Sequence, residues 1–421
     1  MPSPTQLGRY ELITRIGQGG MAEVQLALQR GPAGFEKLVV VKLVHEPLAS
    51  QKAFVDMLLE EARMAALVKH PNVVDIYDLG EADGRFFIAM EYLEGEPLLA
   101  VLRAGREGKR LDVASTARLI SDTAEGLEAA HELHSMSGEA LELVHHDVSL
   151  GNIVVLYNGQ VKLVDFGVAK AAQSSTARVK VQGKAAYMAP EKLRGAPGDR
   201  RSDIWSLGCV LWEALTLRRL FKGTTDAETM QAVLESEIPK PSTVNPDVTA
   251  AFDPIVMRAL ERDPAKRFAT AKELSEALEE VLRQIGYGGK NDQIARYMQA
   301  TFAPHIAARK KLLQEVASKG APSEQVLSDA FTPAFEGRAD SQVSSVSQLR
   351  SRGTPAEARQ PRPNTSGEFS ITFRRAPTEP STPPPNKPAL PAAPKRRLRG
   401  VILGAMAALA VIGAALVLAL R

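Results

Sequence analysis

The stretch from His145 to Gly167 constrains this chain most. It reads HHDVSLGNIVVLYNGQVKLVDFG. Asp147 is followed five positions later by Asn152, and a second acid stands in Asp165-Phe166-Gly167. Between them run two alternating apolar segments, Ile153–Tyr157 and Val161–Val164, split by Asn158-Gly159. Asn-Gly between such runs is a strong hairpin signal, because both residues accept the positive φ of a tight turn. The two polar clusters therefore flank one hairpin and can face one site. There, one carboxylate can take a proton from an attacking hydroxyl. Asn152 and the other carboxylate offer hard oxygen donors for Mg²⁺ on a nucleotide phosphate.

The rest of the chain supplies matching parts. Tyr10–Gly17 and Ala22–Gln29 read as strands joined by Gly17-Gln18-Gly19-Gly20-Met21-Ala22-Glu23-Val24. Glycines there let backbone N–H groups approach phosphate oxygens with no Cβ in the way. Leu38–Lys42 is a buried strand ending in lysine, and Phe54–Val68 is a helix with Glu61 in mid-run. Phe86–Met90 is a strand leading into Glu91-Tyr92-Leu93-Glu94-Gly95, and Ala114–Leu133 is a long helix. A polar loop, Val168–Met188, ends in Ala189-Pro190-Glu191. Asp203-Ile204-Trp205-Ser206-Leu207-Gly208 opens an apolar helix, and Asp263-Pro264-Ala265-Lys266-Arg267 follows.

In this order and spacing the motifs resemble those of protein kinases, most closely the bacterial eukaryotic-like Ser/Thr kinases, from about Tyr10 to Ile285. The resemblance implies an α+β fold of two lobes. A small, mostly β N-lobe would span 10–93 and a larger, mostly α C-lobe 94–285, after a short tail at 1–9. It implies transfer of the ATP γ-phosphoryl to Ser/Thr of protein substrates, with Mg²⁺ (or Mn²⁺). Asp147 would be the base, and Asn152 and Asp165 the metal ligands. Lys42 would grip the α/β-phosphates and pair with Glu61. Ile16, Gly17, Gly19, Val24, Val40 and Val154 would line the nucleotide, with Met90 as gatekeeper and the backbone of Glu91 and Leu93 on adenine. Arg267 should pair with Glu191, and His145 should pack under the catalytic loop.

The chain departs from the family in places. The third loop glycine is Ala22, and the usual alanine before the strand lysine is Val40, which narrows the adenine pocket. The catalytic loop, ordinarily H-R-D-x-K-x-x-N, has His146 for Arg and Ser149 for Lys. The usual G-T before A-P-E is Gly183-Lys184. One reading is decay to a pseudokinase scaffold. The other is exchange: Lys184 delivers the ammonium and Ser149 the hydroxyl hydrogen bond to Asp147. A small-molecule phosphotransferase of kinase-like fold is a third reading. The A-P-E block and the D-x-W-S-x-G helix argue against it, since they build a platform for a polypeptide.

Composition bounds what remains. A net charge of +3 gives no reason to expect a nucleic-acid partner. One cysteine, Cys209, rules out an intrachain disulfide and suits a reducing compartment. The start, MPSPTQLGRYEL, lacks the apolar core of a signal peptide. A helical extension is expected over 286–335, its helix-prone part interrupted at Pro304. Residues 336–399, rich in Pro, Ser, Thr and Arg, carry twelve basic against five acidic residues and should be disordered. Val401–Leu420 has no charge and no proline, and about 20 residues at ~1.5 Å each cross a ~30 Å hydrocarbon core. A transmembrane helix is therefore expected over 400–420. The cluster Lys395-Arg396-Arg397-Leu398-Arg399 would hold the kinase on the cytoplasmic side of a bacterial inner membrane, with no outer sensor domain. Gly400, Gly404 and Ala408 lie on one face of that helix and suit a homodimer through the span.

Overall fold

Three of the four residues after Leu38 are valines, and the chain pairs them edge to edge. In the computed structural model, β1 (Thr5–Leu7), β2 (Tyr10–Gln18), β3 (Ala22–Arg30), β4 (Glu36–Val44), β5 (Ile76–Ala82) and β6 (Arg85–Glu91) make one antiparallel sheet, ordered β1-β2-β3-β4-β6-β5. The structure describes residues 5–18, 22–166, 185–288, 291–319 and 322–331. Gly19, Gly167, Lys184, the 336–399 linker and the 400–420 span lie outside them. Among the described residues no helix is long and apolar enough to cross a membrane.

Side chains alternate across a strand, so β4 serves two faces. Val39, Val41 and Leu43 pack with Leu7, Tyr10, Leu12, Ala27, Phe87 and Ala89. Val40 and Lys42 point the other way. The 1–9 segment is not wholly a tail: Thr5–Leu7 pairs with β2 and buries Leu7. An apolar side chain at position 7 gains more from the core than from water. After α1 (Glu46–Ala49) comes α2 (Lys52–Leu67), which buries Phe54, Val55 and Leu58 against Val44.

A second sheet, β7 (Gly95–Pro97), β8 (Ile153–Leu156) and β9 (Val161–Leu163), belongs to the larger lobe. The β8–β9 connection is not a two-residue turn. Leu156 N–H donates to Gln160 O at 2.8 Å across a three-residue loop, and Gly159 alone takes positive φ, +85°. Glycine is also required there by packing, since a Cβ would lie 2.2 Å from Asn291 O.

Helices fill the rest of this lobe: α3 (Leu98–Arg106), α4 (Val113–His131), α5 (Pro190–Leu193), α6 (Arg200–Thr216), α7 (Asp226–Glu235), α8 (Pro241–Val244), α9 (Asp253–Ala259) and α10 (Ala271–Gln284). α6 is buried on every side and forms the centre of the lobe: every residue from Ser202 to Thr216 is buried, Cys209 included. A Cβ at Gly208 would lie 2.9 Å from the Ala259 side chain, so glycine lets α9 lie close. Capping sets several helix starts. Thr225 and Thr270 accept from the N–H groups of Glu228 and Glu273, and those glutamates reach back to Thr224 N and Ala269 N.

The extension forms α11 (Asp292–Thr301), α12 (Ala303–Lys319) and α13 (Glu324–Phe331). The helix-prone stretch is interrupted next to Pro304, at Phe302, where α11 ends and α12 begins. Pro304 sits in the first turn of α12, where its missing N–H has no helical partner to lose. Ile294, Met298 and Phe302 join the large-lobe core. Leu312, Val326 and Ala330 pack on Leu26 of the small lobe.

Candidate active site

The site is built on one buried carboxylate. Asp203, in the first turn of α6, accepts from His145 N (2.7 Å), His146 N (2.8 Å) and His131 Nε2 (2.9 Å). His146 takes a left-handed φ of 63°, which turns two successive N–H groups toward the same acceptor. Burial alone would raise the Asp203 pKa. The bond from His131 and the neighbouring imidazoles outweigh it and hold the carboxyl at about 2. It is thus a fixed anion on which the catalytic loop is mounted.

His145 carries the next link. Its Nδ1 accepts from Asp147 N at 3.2 Å, so Nε2 bears the proton and donates to Val164 O at 3.1 Å. The ring packs tilted against Phe166, with centroids 4.7 Å apart, and burial lowers its pKa and keeps it neutral. This side chain packs under the catalytic loop, as expected, and also ties that loop to the segment after β9. Val164 N also bonds Asn152 O at 2.9 Å. The polar clusters flanking the hairpin thereby meet. Asn152 Nδ2 donates to Asp147 O and Oδ2, at 2.8 and 2.9 Å.

Lys42 joins them from the small lobe, with Nζ 3.0 Å from Asp165 Oδ1. The expected Lys42–Glu61 ion pair is not formed. Lys42 is drawn to Asp165, and Glu61 lies buried on α2 with Oε2 lacking a hydrogen-bond partner among the described residues. Burial pushes its carboxyl up to about 7, partly offset by the charge of Lys192. Nor does Ser149 bond Asp147. It is buried within the loop, and the Asp147 carboxylate accepts from Asn152 instead. The proposed exchange partner, Lys184, lies outside the described residues.

The raised Glu61 carboxyl has a measurable sign. An unfolded glutamate releases its proton near the ordinary value of 4.5, whereas folded Glu61 holds it to about 7. Between those values the folded chain binds the extra proton, so this group's contribution to stability falls as pH rises. Glu61→Gln should remove that loss. The wild-type Tm, measured relative to the variant, should drop from about pH 5 to about pH 8. Parallel curves for the two proteins would mean an ordinary carboxyl.

The hinge groups are sorted by what already occupies them. Glu91 N–H donates to Asp75 O at 2.9 Å, and Leu93 O accepts from Gly95 N at 3.0 Å. That leaves the Glu91 carbonyl and the Leu93 N–H to meet a purine edge. The Glu91 side chain is held by Lys162, 2.8 Å away. Val24 pairs with Lys42 and Met90 with Val40 across the sheet, and Ile16 and Gly17 lie on the neighbouring strand. Val154 points away from its buried neighbours Ile153 and Val155.

The residues fit a nucleotide with its metal. The Asn152 amide oxygen and Asp165 Oδ2 have no hydrogen-bond partner among the described residues, and both are hard donors of the kind Mg²⁺ takes. Two features escaped the sequence reading. Lys192, directly after Ala189-Pro190-Glu191, sits 3.1 Å from His146 Nδ1. Asp203 was visible only as part of an apolar helix start, though three N–H groups converge on it. Arg267 meets Glu191 as expected, by two bonds of 2.8 and 2.7 Å.

Comparison with known proteins agrees with this geometry. The family described as Protein kinase domain matches residues 10–279. Tyrosine-protein kinase MasK of Myxococcus xanthus is 39% identical over 298 residues, which cover 70% of this chain and 46% of that protein. Serine/threonine-protein kinase PknE of Mycobacterium tuberculosis is 35% identical over 294 residues, covering 69% and 49%. For PrkC of Bacillus subtilis, a serine/threonine-protein kinase, identity is 33%, over 63% of this chain and 39% of that one. The chain spans less than half the length of these relatives. The crystal structure of the Mycobacterium tuberculosis PknI kinase domain is similar at a TM-score of 0.51 and 26% identity, over 66% of this chain and 98% of that one. A match that takes in both lobes and more than half of the residues shows the family: the chain belongs to the protein kinases, and residues 10–279 are its protein kinase domain.

Proposed function

We propose that the chain is an ATP-dependent serine/threonine protein kinase of bacterial signalling, tethered to the inner face of the membrane. The observation that carries the catalytic part is the convergence of Lys42, Asp147, Asn152 and Asp165 at one cleft. Mg²⁺, held by Asn152 and Asp165, would neutralise charge on the phosphates. Lys42 orients those phosphates. Asp147 accepts the proton of the substrate hydroxyl as its oxygen bonds the γ-phosphorus and the bond to the ADP oxygen breaks. The Arg267–Glu191 pair supports the A-P-E block, which in this reading carries the protein substrate. The hydroxyl class follows the serine/threonine-protein kinases among the relatives. The name of MasK supports a second reading, tyrosine. Tethering rests on 400–420, and the small residues Gly400, Gly404 and Ala408 suggest a homodimer through that span.

The test uses full-length chain in membranes, with labelled ATP, Mg²⁺ and a generic basic protein. Label on phosphoserine and phosphothreonine is expected. Phosphotyrosine alone would favour the second reading, and no label on protein would sink the kinase reading. Gly404→Ile should reduce crosslinking between chains in the same membranes. Unchanged crosslinking would reduce the span to an anchor, and recovery of the chain in the soluble fraction would end the tethering proposal.

A further inference from the structure

The family match stops at residue 279, yet the chain beyond it is built into the domain. α11 is rooted in the large-lobe core by Ile294, Met298 and Phe302. Its Tyr297 hydroxyl donates to Lys109 O at 2.8 Å. α12 then passes the hinge. Glu96, buried on β7, takes three donors on Oε1: Tyr157 Oη at 2.5 Å, His305 Nδ1 at 3.1 Å and Arg309 Nη2 at 3.0 Å. Arg309 also donates to Gly95 O at 2.5 Å and lies 5.6 Å from the Tyr157 ring centroid. Farther along, Leu312 of α12 and Val326 and Ala330 of α13 close over Leu26, Ile16 and Tyr92. Leu26 faces the same side of the sheet as Val24 and pairs with Val40. These three helices thus hold the large lobe, the hinge and the strand side that bears the nucleotide residues.

We propose that α11, α12 and α13 form a strap that completes the nucleotide site from outside the conserved domain, with Arg309 as its positioning residue. It rests on the reading of the cleft as a nucleotide site. Lobes joined only by a hinge sample open arrangements, and nucleotide affinity falls with the fraction that is correctly closed. A strap fastened on both sides of the hinge raises that fraction. Its fastening is the buried Glu96 carboxylate of β7, met by Tyr157 just after β8 and by His305 and Arg309 of α12. Removing Arg309 would both strand the Glu96 charge and release the hinge carbonyl.

The experiment separates positioning from mere stability in the full chain. Arg309→Met should raise KM for ATP by about tenfold, as for a fall in the closed fraction to roughly one tenth, while kcat at saturating ATP changes little. Hydrogen exchange should quicken in residues 91–97 and in β2–β3. The double variant Glu96→Gln/Arg309→Met lacks the stranded charge. Its Tm should recover, because removing both partners of a buried pair costs less than removing one. Its KM for ATP should stay high, since the hinge is still unfastened. A KM that recovers with Tm, or one unmoved in a folded Arg309→Met, overturns the proposal. If Arg309→Met does not fold, Arg309→Lys keeps the charge but not the two-pronged grip, and a folded Lys variant with wild-type KM overturns it equally. Wild-type chain that binds no ATP at all would remove the nucleotide reading itself, and this proposal with it.

Discussion

Asp147→Asn should cut phosphoryl transfer at saturating ATP by at least ~100-fold, the scale of a lost general base. The change is nearly isosteric. The loop should survive it, because the backbone N–H of residue 147 still reaches His145 Nδ1 and the loop still hangs on Asp203. An amide oxygen can still accept from Asn152 Nδ2, which lies 2.9 Å from Asp147 Oδ2. What disappears is the group that takes the substrate proton. Lys42→Met should cause a comparable loss at ATP well below saturation, for a different reason. The ammonium 3.0 Å from Asp165 is the only small-lobe cation on that carboxylate among the described residues. Its loss should raise KM for ATP, whereas Asp147→Asn should act on kcat. Measured as initial rates over a range of ATP, the two variants should separate on those axes. Near wild-type rates in both would refute the assignment of the site.

Arg267→Met should be the most destabilising single change outside the catalytic loop. The Arg267 side chain is wholly buried and forks onto both oxygens of Glu191. It also donates to Glu261 O at 2.7 Å and Arg201 O at 2.8 Å. Breaking a buried pair from one side costs about 3–5 kcal/mol, because the remaining charge has no water to return to. At ~2–4 °C per kcal/mol for a domain of this size, Tm should fall by roughly 10 °C. Arg267→Met with Glu191→Gln should recover part of that loss, since no charge is then stranded. Glu191 has a pKa below its ordinary value: burial opposes this, and the bonds from Arg267 and Ser202 outweigh it. The pair should therefore also weaken in acid. A single Arg267→Met variant melting within a degree or two of wild type would show that the pair is dispensable.

Much of the fold was legible because its signals are local. The continuous apolar run Leu38–Lys42 marks a buried strand ending in lysine, and Asn158-Gly159 marks the hairpin. The tripeptide Asp165-Phe166-Gly167 and the spacing from Asp147 to Asn152 point to one cleft without any coordinates. What stayed hidden depends on how separate elements dock. Whether Glu61 reaches Lys42 is set by where α2 rests against the sheet, and no periodicity within α2 encodes that. The helix-prone residues of 286–335 announced an extension but not the surface it would cover. Thr5–Leu7 was too short to read as a strand, and pairing with β2 made it one. Ser149 and Lys192 show the same limit at the site itself. Residue type suggests what a side chain can do, and the local fold decides what it touches.

Cys209 gives the molecule a practical property. It is the only cysteine in the chain and is buried in the middle of α6, and burial raises its thiol pKa well above the ordinary value. A thiol reagent can reach it only when the centre of the large lobe opens, so its labelling rate reports that opening and little else. The native chain is otherwise silent toward maleimides. A cysteine introduced on the surface would be the one fast-reacting thiol, and pairs of spectroscopic labels could then be set without first stripping the background.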